Sequence, residues 1–315
     1  MENKRILITG ASGSIGSELV EQLIQDENNE IICFDRNEEK VFYLEKQIRL
    51  KYPNSKFIVC LGDVTNVARL RQVFAEHKPQ VVYHTAANKH VPLGEDNVHE
   101  FIHNNILGTI NLAHVAVNYC DTFVFISTDK AVEPASVMGY TKRMCEKYLL
   151  GISNRYKTKF IICRFGNIVG SSGSVYEIFE KQAKTGLIQV THKDMERYFI
   201  TPKAAIANLI KCSTLEQGMY TFDMDSPVNI FKIAEEFATK YGAFIEIIGL
   251  RPGEKIKEKL KYDYEELELV EKDIFKITSL IPNKEMLDIY LLVHTTTEST
   301  KEELIKQFKR INNEY

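Results

Sequence analysis

The sequence predicts an α/β fold: a doubly wound parallel sheet followed by a smaller, less regular C-terminal domain. Three observations predict it. Short β-rich runs alternate with amphipathic helical stretches through residues 1–165. Those runs are apolar at nearly every position, as strands buried on both faces must be. After Phe165 the alternation gives way to a Gly- and Ser-rich stretch and mixed elements. Right-handed crossovers wind such alternation into a sheet covered on both sides.

In order, strands are expected at 5–9, 30–34, 57–61, 81–84, 123–127 and 160–164. Helices are expected at 14–25, 38–51, 67–77, 95–118 and 137–156. In the second half, 166–173 reads as a loop. Thr201-Pro202 and Ser226-Pro227 each place a capping hydroxyl before a proline at the first helical position, so a helix is expected after each. Short strands are expected at 220–222 and 244–248. The acidic stretch 263–273 reads as a solvated face. Residues 1–165 form the first domain and 166–315 the second, with a helix near 202–215 expected to pack back on the first.

Composition suits such a fold. The 315 residues are 44% hydrophobic and 26% charged, within the range of an ordinary globular enzyme. A chain this long buries roughly 75% of its unfolded surface, enough to fold without disulfides or metal. Forty basic against 43 acidic residues leave a formal charge of −3. That balance argues against bulk nucleic-acid or anionic-membrane binding, which needs a basic excess. Apolar runs such as 57–61 and 289–293 fall far short of the ~20 residues of a membrane helix. The stretch at 6–8 is too short for a signal-peptide core. Cys33, Cys60, Cys120, Cys145, Cys163 and Cys212 are scattered without a CxxC pair. They read as buried reduced thiols, so a cytoplasmic protein is expected.

Gly10, Gly13 and Gly16 fall between the first strand and the first helix, in TGASGSIG (9–16). Glycines there let the backbone turn tightly against a pyrophosphate, whose charge sits at the helix N-terminus. The position between strand and helix points to a Rossmann-type nucleotide site, although the spacing is GxxGxxG rather than GxGxxG. Asp35 ends the second strand, where a carboxylate accepts from both ribose hydroxyls of NAD. Arg36 beside it offers the alternative, a partner for the 2′-phosphate of NADP; NAD is the favoured reading. Asp63, after the third strand, is placed to bond the adenine amine or to serve a helix N-terminal loop.

With these residues in view, the chain resembles the extended short-chain dehydrogenase/reductase family. More narrowly, it resembles the bacterial polysaccharide-biosynthesis nucleotide-sugar 4,6-dehydratases. The matching segments are TGASGSIGSEL (9–19), HTAANKHVPLGED (84–96), NNILGT (104–109), STDKAVEPASVMGYTKR (127–143), RFGNIVGSSGSV (164–175), ERYFITPKAA (196–205) and GLRPGEK (249–255). They span most of the chain in the family's order. The resemblance implies UDP-N-acetylglucosamine as substrate, a UDP-linked 4-keto-6-deoxy sugar as product, and a tightly held, recycled NAD or NADP. It places further cofactor contacts at Ser14, Ile15, Val64, Ala86, Ala87 and Lys89. Larger members carry a membrane segment ahead of the catalytic part, to which this chain is expected to correspond.

A 4,6-dehydration removes hydride from carbon 4, abstracts the carbon-5 proton, expels the carbon-6 hydroxyl and returns the hydride to carbon 6. It needs a base, an acid and a held nicotinamide. Thr128-Asp129-Lys130 supplies such residues at the end of a strand, where doubly wound sheets keep their active sites. The resemblance makes Asp129 the general acid and Lys130 the carbon-5 base, a position where other dehydratases often have Glu. A lysine base must be partly neutral near pH 7, which burial or a cationic neighbour favours. The wider family uses Tyr-x-x-x-Lys, with Tyr as the carbon-4 base. Here Met138 and Lys142 occupy that pair. Tyr140 lies two residues on, about 200° around a helix of about 3.6 residues per turn. Met138 takes no proton, so the carbon-4 acceptor is left open. Thr128 with ordered water is the expected route, and Lys142 is expected to hold the nicotinamide ribose. Met138 leans toward retention at carbon 5.

For the nucleotide sugar, the resemblance implies diphosphate contact by Arg251 and Asn167, ribose contact by Glu254 and substrate contact by Lys89, with Arg197 either touching the substrate or bracing the site. Asn105 is expected to stabilise the site's backbone. An arginine fork suits a diphosphate because it donates two parallel hydrogen bonds. Three rival readings remain. A nucleotide-sugar 4-epimerase needs the same fold and oxidation but not Asp129 and Lys130 as an elimination pair. A non-catalytic dinucleotide-binding regulator would bind without turnover. His99-Glu100-Phe101-Ile102-His103 is a literal HExxH, the spacing of a zinc hydrolase; no third ligand can be named, and no metal is expected. A homo-oligomer is expected because helices flanking this fold commonly pair subunits.

Overall fold

A computed structural model describes residues 4–279, 288–289, 292–293 and 299–312. Six parallel strands follow the expected runs to within a residue: β1 (Arg5–Thr9), β2 (Glu30–Asp35), β3 (Lys56–Leu61), β4 (Val81–His84), β5 (Thr122–Thr128) and β6 (Lys159–Phe165). Between them run α1 (Ser14–Leu23), α2 (Glu38–Lys51) and α3 (Val67–His77), then the segmented α4 (Val91–Asp96), α5 (Val98–Phe101) and α6 (Gly108–Ala116), then α7 (Val137–Ser153). Side chains set the helix starts. Asn37 Oδ1 accepts from Lys40 N–H, Asn66 Oδ1 from Arg69 N–H and Ser136 Oγ from Gly139 N–H, each satisfying an otherwise orphaned donor.

The order 3-2-1-4-5-6 reverses between β1 and β4. In such sheets ligands bind at the strands' carboxyl ends, at this reversal. The strands are apolar throughout because both faces are covered: Leu7 packs under α3, α6 and α7, while Ile6 and Ile8 pack under α1 and α2.

The second half contributes β7 (Asn167–Ile168), α8 (Val175–Lys184), β8 (Leu187–Val190), β9 (Glu196–Arg197), β10 (Phe199–Ile200), α9 (Pro202–Cys212), β11 (Gly218–Phe222), β12 (Val228–Asn229), α10 (Ile230–Tyr241), β13 (Phe244–Ile247), β14 (Glu265–Glu271) and β15 (Ile274–Ser279). β11 adds to β6 in parallel, and the antiparallel hairpin β14–β15 extends that edge, so among the described residues the large sheet has nine strands. α9 packs on α1 and β6. A separate small core gathers α8, β8, α10 and β13. The helix Lys301–Asn312 buries Leu304, Phe308 and Ile311 against the α7 side of the sheet. Among the described residues no helix is long and apolar enough to cross a membrane.

Four expectations need correction. The single helix at 95–118 is broken. Asn97 leaves helical geometry (φ −130°, ψ 51°), and a π-helical stretch at Ile102–Leu107 inserts an extra residue per turn, burying both Asn104 and Asn105. Pro227 does not open a helix: the chain enters β12 instead, and Asn229 Oδ1 caps α10 by accepting from Lys232 N–H at 3.0 Å. The loop at 166–173 contains β7, which pairs with β10. The acidic stretch at 263–273 holds strand β14, and its first residue, Glu265, is buried in an ion pair with Arg164.

Candidate active site

The glycine turn closes over β1 as its composition requires. Gly10 has φ +66°, and a Cβ there would lie 2.7 Å from the Ala86 backbone. At Gly16 a Cβ would lie 2.2 Å from Gly10 O, so α1 can start hard against the turn only with glycine. Gly10 N–H donates to Phe34 O and Gly13 N–H to Gly10 O, both at 2.9 Å.

A cleft of about 960 Å³ runs from this turn to the ends of β5 and β6. Gly10, Gly13, Ser14 and Ile15 line one end, and Thr128, Lys130, Met138, Lys142 and Asn167 the other, with Ala87 and Lys89 between. A side pocket of about 190 Å³ continues past Asp35, Arg36, Asp63, Val64 and Ala86. A turn that any Cβ would fill, opening on a long cleft with a smaller side pocket, fits a dinucleotide with its pyrophosphate at Gly13–Ile15 and its adenosine beside Asp35. Gly16 supports the turn from behind.

Asp35 Oδ2 accepts from Ser12 N–H at 2.9 Å and Ser12 Oγ–H at 2.7 Å. Arg36 donates to Asp63 Oδ2 at 3.1 Å and to Asn104 and Asn88 at 3.3 Å. Burial raises the Asp63 carboxyl, but the Thr65 N–H and Oγ–H bonds and Arg36 outweigh it and hold it below the usual range. Asp63 thus lines the side pocket with its oxygens committed to Thr65 and Arg36.

β5 ends at Thr128, and a single 3₁₀ turn, Asp129–Ala131, follows. Asp129 is fully buried. Its Oδ1 accepts from Thr128 Oγ1 and from Lys130 Nζ, each at 2.9 Å, and its Oδ2 has no partner among the described residues. Lys130 Nζ also donates to Asn167 Oδ1 at 2.9 Å. Of the two aids named for a lysine base, a cationic neighbour is not the one bonded to Lys130: its partner is the acid Asp129. Asp129 itself stands behind the cleft wall and reaches it through Thr128 and Lys130. Gly139 of α7 abuts the turn: a Cβ there would lie 2.3 Å from Lys130 O.

Lys142 Nζ donates to Ile126 O at 2.8 Å and lies 4.5 Å above the Phe125 ring. Burial pushes it down to about 8. Met138, one turn earlier, faces the cleft, whereas Tyr140 stacks on Phe308 at 5.2 Å on the far side of α7. Among the described residues that line the cleft, none is a tyrosine.

Beneath the site, His84 Nδ1 accepts from Thr9 Oγ1 at 2.8 Å and Nε2 donates to Thr109 Oγ1 at 2.9 Å, because Thr109 spends its own proton on Asn105 O. Burial pushes His84 down to about 3. Asn105 accepts from Asn88 N–H, donates to Asn88 O and bonds Thr141 Oγ1, tying the loop after β4 to α7. Lys89 Nζ donates to Ser172 O at 2.7 Å, and Ser172 N–H to Ser14 Oγ at 3.1 Å, so the loop after β7 bridges the cleft.

Three expected substrate residues stand outside this cleft. Arg197 is buried, and its guanidinium is spent on the carbonyls of Glu196, Lys255 and Ile256, so it braces the 255–256 backbone. Arg251 is exposed, and Glu254 Oε2 accepts from Arg251 N–H at 3.0 Å, closing their own turn. The HExxH residues are split: His99 lies in α5 and donates to Ser299 O, His103 faces outward from the π-helical stretch, and Glu100 lines the cleft. Among the described residues no group of three or more His, Cys, Asp or Glu could hold a metal. All six cysteines are free and buried. Sequence reasoning missed Tyr262 and gave Lys255 no role, since nothing local signals that they reach the Asp129 turn.

A dinucleotide-shaped cleft at the sheet's reversal, with a lysine on α7 facing it, marks an extended short-chain dehydrogenase/reductase. The chain belongs to the polysaccharide biosynthesis protein family, whose model matches residues 6–279. It is 42% identical over 271 residues to the Staphylococcus aureus capsular polysaccharide biosynthesis protein CapD, covering 82% of this chain and 45% of CapD, so it spans under half of that relative's length. It is 32% identical over 263 residues to a Campylobacter jejuni UDP-N-acetylglucosamine 4,6-dehydratase (inverting), covering 81% of this chain and 76% of the relative. It is likewise 32% identical over 272 residues to a Rickettsia canadensis UDP-glucose 4-epimerase, covering 82% and 77%. Among solved structures, Pen from Bacillus thuringiensis superposes with a TM-score of 0.81 at 30% identity, covering 90% of this chain and 89% of Pen. The Thermus thermophilus UDP-glucose 4-epimerase, solved with NAD, shares the fold at a TM-score of 0.71 and 21% identity, covering 82% and 90%.

Proposed function

We propose that the protein is a nucleotide-sugar 4,6-dehydratase acting on UDP-N-acetylglucosamine in surface-polysaccharide synthesis, with NAD as the held dinucleotide. The observation that carries this reading is the Lys130–Asp129 pair, 2.9 Å apart at the cleft wall, beside a methionine where an epimerase-type site has tyrosine. Held by its pyrophosphate at the glycine turn, the dinucleotide would supply a nicotinamide that accepts and returns the hydride. The chain's own residues handle the protons. One proton shift along the Lys130–Asp129 hydrogen bond turns an ion pair into a neutral amine and a carboxylic acid, the base and acid that the elimination needs. Lys130 then takes the carbon-5 proton and returns one to carbon 5 as the hydride reaches carbon 6, and Asp129, through Thr128 Oγ1, supplies the proton that leaves with the carbon-6 hydroxyl as water. Thr128 Oγ1 passes on the carbon-4 hydroxyl proton, which replaces the one lost as water. Asn167 holds the Lys130 amine in place, and Lys142 orients the nicotinamide ribose. Retention at carbon 5 is the expected outcome.

The test is incubation with UDP-N-acetylglucosamine and NAD, following the sugar by mass spectrometry and proton NMR in deuterated buffer. A product lighter by one water, deuterated at carbon 5, supports the reading. The epimerase-named relative supports a second reading, 4-epimerisation; a product of unchanged mass with inverted carbon 4 would replace the dehydratase with it.

A further inference from the structure

Residues 255–265 are remote in sequence from the Asp129–Ala131 turn, yet their side chains end on it. Lys255 Nζ donates to the carbonyls of Val132 at 2.9 Å and Glu133 at 3.3 Å. Lys259 Nζ reaches Glu133 Oε1 at 2.6 Å. The Tyr262 hydroxyl donates to Ala131 O at 3.2 Å. A single 3₁₀ turn has no following turn to satisfy its last carbonyls. Here three consecutive carbonyls, at 131, 132 and 133, take their partners from one distant segment. Glu133 has φ +44°, a left-handed conformation that a non-glycine residue keeps only where its surroundings impose it.

The segment is fixed at both ends. Arg197 holds the carbonyls of Lys255 at 2.8 Å and Ile256 at 3.1 Å. At the other end, Glu265 Oε2 accepts from Tyr262 N–H at 2.9 Å and from Arg164 Nη1 at 2.7 Å. Arg164 also pairs with Glu146, whose Oε1 accepts from Ser127 Oγ at 2.6 Å, directly before Thr128. Lys255 in turn follows directly on the Arg251–Glu254 turn.

We propose that residues 255–265 are a strap that positions the Thr128–Asp129–Lys130 turn and couples it to the 251–254 loop, with Lys255 and Tyr262 as positioning residues. Both act through the 131–133 backbone. The kinetic part of the proposal rests on the dehydratase reading; the structural part does not.

Tyr262→Phe removes the hydroxyl and keeps the ring, stacked on Tyr264 at 4.9 Å. Lys255→Met combined with Glu258→Gln removes the amine without stranding the Glu258 carboxylate, whose Oε2 lies 2.6 Å from Nζ. Two quantities are measured. The first is hydrogen exchange of a peptide spanning 127–137, where Val132 N–H bonds Asp129 O at 3.0 Å. The second is kcat and KM for UDP-N-acetylglucosamine. Each variant should speed exchange of that peptide and lower kcat by about fivefold or more, with KM within about twofold, while exchange in β1 and β4 stays as in the wild type. Lys255→Arg should restore both. A lowered melting temperature with unchanged exchange at 127–137, or with unchanged kcat in an active enzyme, overturns the strap. If the wild type does not dehydrate the sugar, the dehydratase reading fails, and the exchange measurement alone still decides the strap.

Discussion

Lys130 Nζ lies 2.9 Å from Asp129 Oδ1, with the carboxylate wholly buried and the amine partly open to the cleft. The two charges are neighbours in sequence, and the 3₁₀ turn forces their side chains to meet. The atom of the pair that faces the cleft is thus the lysine's amine, with the aspartate behind it.

This pairing predicts that acid and base fail together. Asp129→Asn keeps the shape but has no acidic proton to exchange with Lys130. Asp129→Asn and Lys130→Met should each cut water loss by about 10²-fold or more, and the double variant should be no worse than either single. Mass spectrometry of the sugar, with deuterium uptake at carbon 5, reads both. Additive losses would separate the two residues.

Gly16 and Gly13 should respond differently to alanine. A Cβ at 16 would lie 2.2 Å from Gly10 O and 2.7 Å from Ala11 Cα, both backbone; one at 13 would lie 3.1 Å from Gly10 O. Gly16→Ala should lose dinucleotide binding and about 1–3 kcal/mol of stability. Gly13→Ala should lose markedly less of either. Titration calorimetry and urea unfolding check this.

Lys142 should leave a signature in stability against pH. Burial pushes it down to about 8, from an ordinary value of 10.5. Between those pH values the unfolded chain binds the proton and the folded chain does not, so stability rises with pH through the window. Below it the burial penalty is present in full. The stability of the wild type relative to Lys142→Met should therefore climb between about pH 8 and 10.5, with shared tyrosine and cysteine contributions cancelling. Urea midpoints across that range measure it; a flat difference contradicts it.

Cofactor choice should turn on Asp63. Arg36 is bound to Asp63, Asn88 and Asn104, so a 2′-phosphate must compete for it. Asp63→Ala frees the guanidinium and should shift the NADP-to-NAD affinity ratio upward. The shift should not exceed about fivefold, because the pair is partly exposed and such pairs are worth about 1 kcal/mol at most. Paired titrations with the two dinucleotides read the ratio.

Much of this was legible in the sequence because it is local. Strands β1 to β6 are apolar runs buried on both faces, and Gly10, Asp35 and Thr128 sit at their ends, where the fold puts chemistry. What escaped depends on distant partners. Arg197 reads in the sequence as either a substrate contact or a brace, because nothing in ERYF reveals that the carbonyls of Lys255 and Ile256 lie beside it. The break at Asn97 and the π-helical stretch at 102–107 interrupt a run whose apolar spacing still reads as one helix. Glu265 reads as solvent-facing in the sequence because its arginine partner stands 101 residues away.

The outermost strand of the large sheet, β14, reads Glu-Glu-Leu-Glu-Leu-Val-Glu, and every residue after Glu265 is solvent-exposed. A bare strand border is an invitation for another polypeptide to zip on. Glu266, Glu268 and Glu271 guard it by mutual repulsion between copies, as charged border residues do in soluble β-proteins. That guard is electrostatic and weakens as salt screens it, so self-association of this chain through this border should rise with ionic strength.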